Sequence, residues 1–544
     1  MKTSKKLKVF TGAPAFVVIA LYAVCFGLFS TQAEASSVKI MSFSVRGNQV
    51  VSTDGIVGSL SNYIGKEITV DRLENIRATV FDLYARGGFL AQVILPPQDL
   101  ASGLLIIEIK ELKLGTVTVD AAGDLRYSPK RASSRIEKPL KDNVALAISD
   151  LDFQTQALDA LNGIIAGTEV IIDQVNAEVD VKLSMQNTQL FEGSIQVDNF
   201  GSETTGANRV TADLQANSLL HQGERLSFSG IKTKHLKSQG FDLELPVGAY
   251  GGVMVVGNER SNYAIANQMS VTVPGQQLNQ DYIVDGVSRN LWIRYRAPKF
   301  QFSTMPLLLE FGAEKSATTD GFYFVDQGPA TMSPITAKKT YKAYFQAGLS
   351  WVNSKSNAAV DMSVKLAFGE TSLNLGRDAD AVGAKIHGKF AKLLPSLSAQ
   401  YRISNKFSVA VNSTCQVATS NLDAGEKLSL GGPSSVRAYG VGAVSVNHGC
   451  YAQNELTYQK SEQTSLFSFV DLAAGSIWRR TFEDWQEADE SNTFAIGGLG
   501  IGVRYTPREN VNFSLTHAQR IGSCTGCVGS QPKSQTWAAI TVNF

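Results

Sequence analysis

Tyr341-Lys342-Ala343-Tyr344-Phe345-Gln346-Ala347-Gly348-Leu349-Ser350-Trp351 places Tyr341, Ala343, Phe345, Ala347, Leu349 and Trp351 on one side of an extended chain. Lys342, Gln346, Gly348 and Ser350 fall on the other side, because successive strand side chains point to opposite faces. Met362, Val364, Leu366 and Phe368 alternate in the same way with Ser363, Lys365 and Ala367, as do Val511, Phe513 and Leu515 with Asn512, Ser514 and Thr516. One face suits lipid and the other suits water. A soluble β-sandwich alternates too, but three further observations select a membrane barrel. A secretory leader opens the chain, no 18-residue apolar helix follows it, and the last strand runs through Ile540 and Val542 to Phe544. Backbone polar groups in lipid must all be paired, and a sheet achieves that only by closing on itself. Residues 190–544 are too many for an eight-stranded barrel with ordinary loops.

The leader is read from Lys2, Lys5, Lys6 and Lys8, an apolar run from Ala15 to Phe29, and the small-x-small triplet Ala33-Glu34-Ala35. Cleavage there makes residues 1–35 a signal peptide and Ser36 the mature N-terminus. The run is short for a transmembrane anchor, and Val24 before Cys25 is too bulky for a lipoprotein site. Without the leader the 50 basic and 49 acidic residues of the whole chain leave a net charge of −2, which gives no support to a nucleic-acid partner. Cys415, Cys450, Cys524 and Cys527 then meet an oxidising compartment. Cys524-Thr525-Gly526-Cys527 lacks a second CxxC and a βαβ context, so it reads as a disulfide tightening a surface loop rather than a redox or zinc pair. Cys415 and Cys450 are candidates to pair across a hairpin, a point the spacing leaves open.

Residues 36–189 follow another rhythm. Met41, Phe43 and Val45 alternate as a strand up to Arg46-Gly47-Asn48. Leu73, Ile76, Val80 and Leu83 predict a helix after Thr69 that ends at Gly87-Gly88. Phe89–Leu95 and Leu104–Lys110 read as strands separated by Pro96-Pro97-Gln98. The same order recurs from Leu114: Val117 and Val119 in a strand, Leu151, Leu158, Leu161 and Ile165 on a helix face, and Val179, Val181 and Leu183 in a final strand. Two small α/β modules, 36–112 and 113–189, are therefore expected ahead of a barrel over 190–544, each module with a sheet edge able to accept a partner's strand.

Three stretches carry a family resemblance: Leu95-Pro96-Pro97-Gln98-Asp99-Leu100, then Val197-Asp198-Asn199-Phe200-Gly201 with Thr205-Gly206, and above all Leu430-Gly431-Gly432-Pro433-Ser434-Ser435-Val436-Arg437-Ala438-Tyr439-Gly440 with Phe469-Val470-Asp471. With them the chain resembles a two-partner secretion transporter (type Vb, TpsB family, the haemolysin-activator and haemagglutinin-secretor group). The resemblance implies a 16-stranded transmembrane β-barrel in the bacterial outer membrane, preceded by two periplasmic POTRA domains. It implies a large secreted exoprotein (TpsA-type) docking on those domains, contact with outer-membrane lipid, and insertion by the barrel-assembly machinery, which reads the terminal aromatic strand. It further implies a latch: a loop tip of Val436, Arg437, Ala438, Tyr439 and Gly440 folded into the lumen, with Arg437 meeting Asp471 beside Phe469. The family usually carries glycine where Ala438 stands, so alanine would strain the tip if that position needs positive φ. Ser36 also lies too close to the first strand for the N-terminal plug helix that many members carry.

Other signals are set aside. Gly383-Ala384-Lys385-Ile386-His387-Gly388-Lys389 nearly spells a phosphate loop, but Phe390 stands where magnesium would need Ser or Thr. His221, His235, His387, His448 and His517 are dispersed, no Gly-x-Ser-x-Gly elbow occurs, and Asp198 and Asp471 are isolated acids. No enzyme, metal or cofactor is expected. The rival readings are an outer-membrane insertase, which acts on many clients and usually carries a different module set, and a porin, which has no use for docking modules.

Overall fold

The computed structural model describes residues 38–173, 175–248, 251–273, 276–298, 300–302, 305–353, 357–483, 485, 491–522, 524, 527 and 531–544. The expected leader lies outside them. Residues 38–188 belong to one compact unit and most of the barrel to a second.

The first module is built from β1 (Ser42–Arg46), α1 (Thr53–Ser59), α2 (Val70–Arg86), β2 (Ala91–Ile94) and β3 (Leu104–Glu111). Thr69 caps α2 by accepting from the Arg72 amide, which satisfies an orphan donor of the first turn. The helix lays Ile76, Val80 and Tyr84 on Leu105, Ile107 and Ile109 of β3. The sheet order is β1-β3-β2, with β1 parallel and β2 antiparallel to β3. Gln98 continues the ladder where Pro96 ends β2: its side-chain amide donates to the Ile106 carbonyl and accepts from the Ile106 amide, at 2.9 and 2.6 Å. Glu111 accepts from the Gln49 and Val50 amides and from the buried Tyr84 hydroxyl. Burial pushes the Tyr84 phenol well above its ordinary range, and the bond to Glu111 pushes the same way.

The second module repeats the plan with β4 (Lys113–Ala121), α3 (Pro129–Leu140), α4 (Ile148–Asp159), β5 (Ile164–Asp173) and β6 (Glu178–Asn187), in sheet order β4-β6-β5. One expectation is corrected. Leu161 and Ile165 do not continue the face of Leu151 and Leu158, because α4 stops at Asp159 and Gly163, at φ 89°, turns the chain into β5. Ile164 rather than Ile165 then faces the core.

The barrel runs through β7 (Phe191–Asp198), β8 (Arg209–Asn217), β9 (Arg225–Lys232), β10 (Leu236–Val247), β11 (Gly252–Val273), β12 (Gln276–Arg296), β13 (Phe300–Phe302), β14 (Met305–Phe324), β15 (Ser333–Asn353) and β16 (Ala358–Leu375). After the short helix α5 (Arg377–Val382) come β17 (Gly388–Arg402) and β18 (Phe407–Ala418). Then, beyond a hairpin of β19 (Leu428–Leu430) and β20 (Val444–Val446), come β21 (His448–Gln459), β22 (Thr464–Ser476), β23 (Thr493–Arg508), β24 (Val511–Ile521) and β25 (Ser534–Asn543). β12 and β13 pair in turn with one strand, β14, and so form a single stave; the closed antiparallel barrel has 16. β25 returns to β7, pairing Ile540 with Val197 and Val542 with Ile195. Tyr341, Phe345, Met362, Val364, Leu515 and Ile540 point outward, whereas Lys342, Tyr344 and Thr516 are shielded or paired within. No helix among the described residues is long and apolar enough to cross a membrane; the strands do so here.

Candidate functional site

Between β18 and β21 the chain makes a long excursion, residues 419–447. A Cys415–Cys450 disulfide joins the two strands where it leaves them. β19 and β20 pair as its stem, Leu428 with Val446 and Leu430 with Val444. Gly431 and Gly432 then turn the tip with φ of 100° and 88°; a Cβ on Gly431 would lie 2.2 Å from the Gly440 carbonyl oxygen. The Gly432 amide donates to the Tyr439 carbonyl at 2.8 Å, and Ser435 Oγ accepts from the Gly431 amide at 2.7 Å. The result is a knob whose Val436, Ala438 and Tyr439 are fully buried against Phe467, Phe469, Ala473, Phe494, Ile496 and Ala518 of the wall.

Arg437 sits inside this apolar contact, 7% exposed, and Asp471 is fully buried. Its Nε donates to Asp471 Oδ2 and its Nη2 to Oδ1, both at 2.8 Å, while its backbone amide donates to Oδ2 at 3.0 Å. Nη1 donates to Glu455 Oε2 at 2.9 Å. Glu455 in turn holds Arg504 through two bonds of 2.7 and 3.0 Å. The guanidinium carbon lies 3.5 Å from the Phe469 ring centroid, and Trp537 Nε1 donates to the Arg437 carbonyl at 2.7 Å. Two cations and two carboxylates thus balance. The planar fork suits the bidentate contact in a way a lysine could not, and removing one member would strand a desolvated charge.

Room for the knob comes from β23. A Cβ on Gly498 would meet the Ala438 methyl at 2.3 Å, one on Gly500 the Phe469 ring at 2.4 Å, and one on Gly502 the Phe467 ring at 2.2 Å. Ala438 is not among the positive-φ residues, so the strain considered for it does not arise; its methyl fills the space over Gly498. The Gly440 amide donates to Gln531 Oε1 at 3.1 Å. Cys524 and Cys527 form a disulfide, packed half-buried against the same apolar cluster rather than standing out on the surface. Asp198 lies elsewhere: buried on β7, it accepts Arg209 through Nε at 3.0 Å and Nη2 at 3.0 Å, and neighbouring Asn199 spans the seam to Thr536 and Ala538.

The residue pattern alone does not single out Glu455, Arg504, Trp537 or the glycines of β23. The alternation Gly498, Gly500, Gly502 on one strand face was the available sign. Nor does it single out a second tie, in which Asp423 and Glu426 of the loop bind lysines on β15 and β17. Among the described residues no group of His, Cys, Asp and Glu is placed to hold a metal.

The family model for haemolysin secretion/activation proteins ShlB, FhaC and HecB matches residues 178–291 and 333–505, and that for ShlB-type POTRA domains matches 38–111. The chain belongs to the haemolysin secretion/activation family. Family membership makes it a two-partner secretion transporter of the outer membrane, with POTRA domains in the periplasm, and not an enzyme. The heme/hemopexin transporter protein HuxB of Haemophilus influenzae (strain 86-028NP) is 22% identical over 518 residues, covering 92% of this chain and 86% of HuxB. The outer membrane transporter CdiB of Dickeya dadantii is 19% identical over 462 residues, covering 82% of this chain and 76% of its own. The solved CdiB from Escherichia coli superposes with a TM-score of 0.71 at 18% identity, covering 95% of this chain and 93% of that one. That likeness is one of fold.

Proposed function

We propose that this transporter exports a large partner protein by releasing the knob that Arg437 holds against the wall. The chain is taken to comprise a leader over 1–35, POTRA domains over 36–112 and 113–189, and the barrel over 190–544. Extended segments of the unfolded partner add as strands to exposed edges of the module sheets, a mode that relies on backbone hydrogen bonds and tolerates varied side chains. The knob leaves its seat, the partner threads the lumen, and folding outside removes the unfolded species from the equilibrium and draws export forward. The outward apolar belt meets lipid, and the terminal strand to Phe544 is the segment that the assembly machinery reads.

The observation carrying this reading is the burial of Arg437 with its guanidinium shared between Asp471 and Glu455. A charge fixed so fully in a confined lumen makes a discrete, reversible tie. Arg437→Ala is expected to lower secretion of the partner while the barrel stays inserted, read from partner in the medium and from heat-modifiable migration of the membrane protein. Unchanged export by that variant would count against the latch.

A further inference from the structure

A second part of the lumen carries a chemistry that the Arg437 latch does not use. On β15, Lys338 and Lys342 stand four residues apart on the inward face, and Lys392 stands on β17. Lys338 Nζ lies 2.6 Å from Asp423 Oδ1 of the loop. Lys342 Nζ lies 3.1 Å from Glu426 Oε1 and 2.9 Å from Glu314 Oε2 of the wall. Lys392, almost wholly buried, donates to the Glu426 carboxylate at 2.8 Å and to the Glu426 carbonyl at 2.7 Å. Asp423 also caps the single turn Ala424–Glu426 by accepting from the Gly425 amide, so the two buried acids are presented to the wall lysines as one compact element of the loop.

The pairing is lopsided. For Lys338 and Lys392 the carboxylate partners among the described residues belong to the loop, whereas Asp471 and Glu455, at the other tie, belong to the wall. When the loop leaves its seat it carries Asp423 and Glu426 away and bares ammonium groups on β15 and β17. Ammonium groups in a confined, partly desolvated channel need an anionic replacement.

We propose that this lysine strip is a docking surface for acidic stretches of the exported chain, and that the loop's Asp423 and Glu426 occupy it as stand-ins at rest; the inference rests on the transporter reading. The chemistry fits an unfolded cargo. Lysine ammonium groups are rotatable point charges without the fixed fork of arginine, so they accept carboxylates in any register along an extended chain. The exchange of loop carboxylate for cargo carboxylate keeps each lysine paired throughout, which lowers the cost of unseating the loop while cargo is present.

The test uses the purified full chain in planar lipid bilayers, with hexaglutamate and hexalysine as probes added on the side of the POTRA domains. In the variant Asp423→Asn/Glu426→Gln, hexaglutamate is expected to block the current at a concentration roughly tenfold below that of hexalysine, a difference of about 1.4 kcal/mol. High salt should narrow the gap. Adding Lys338→Gln and Lys392→Gln should erase the preference. Equal block by the two peptides, or a preference that survives loss of both lysines, overturns the docking strip while leaving the transporter reading intact. A wild-type protein that forms no channel at all sinks that reading, and this one with it. Should the double loop variant fail to insert, Glu426→Gln alone must shift the reversal potential in a potassium chloride gradient toward anion selectivity, and no shift overturns the proposal.

Discussion

The first module and the barrel wall use the same alternating strands with opposite dispositions. In β3 the apolar set Leu105, Ile107 and Ile109 is buried under a helix. In β24 and β25 the apolar set, Phe513, Leu515, Ile540 and Val542, looks outward, while inside the barrel Arg437 and Glu426 of the loop and Asp471 of β22 are buried charges. The local pattern is therefore silent about which face is the interior; the medium around each unit decides. Water outside drives hydrocarbon inward. Lipid outside removes that drive, and the polar interior must be matched group by group.

The strongest test of this contrast addresses the charged interior. Asp471→Leu leaves Arg437 with Glu455 alone and is expected to cost about 3–5 kcal/mol, seen as a lower heat-modifiability midpoint. Arg437→Leu/Asp471→Leu should regain much of that stability yet remain defective in secretion; a double variant as unstable as the single one would break the argument. Next comes a matched pair on the apolar side. Ile107→Ala in the module core should cost about 2–5 kcal/mol through the cavity it leaves, measured as faster proteolysis of residues up to 188. Leu515→Arg on the barrel exterior should cost about 2–4 kcal/mol near mid-membrane, measured as lost folded barrel in vesicles. If Leu515→Arg were silent, that face would not meet lipid.

The smallest effect concerns a buried polar pair at the edge of the module core, Tyr84 and Glu111. Tyr84→Phe removes a bond to Glu111 and is expected to cost about 1–3 kcal/mol. Its pH dependence has a defined sign. The folded phenol titrates above its unfolded value of about 10, so the stability it adds is present below that pH and is lost as pH climbs beyond it. Proteolysis rates of the wild-type module should rise more steeply above that pH than those of Tyr84→Phe.

Much of this was legible in the residues. Thr69 and Gly87-Gly88 bracket a helix because capping and left-handed turns have strong local preferences. The alternation through Tyr341–Trp351 is a property of one strand and can be read from it. The pairing of Arg437 with Asp471 was reached through motif resemblance, since nothing local to either residue names the other. Glu455 and Arg504 escaped because a four-charge balance exists only once three separate strands are brought side by side. The end of α4 is masked in the sequence for a different reason. Leu158, Leu161 and Ile165 keep helical spacing through a break that only Asn162-Gly163 announces.

The bond between Cys415 and Cys450 closes a ring around the whole latch loop. In the chain-entropy view, tying off a ring of about 35 residues restricts the unfolded ensemble by about 4 kcal/mol. Its placement matters more than its size. β18 and β21 cannot unzip beneath the loop, so any departure of the knob must be a swing of a lasso on a fixed collar. A reduced protein would lose that collar and could mislay the loop during assembly while keeping every one of its charges.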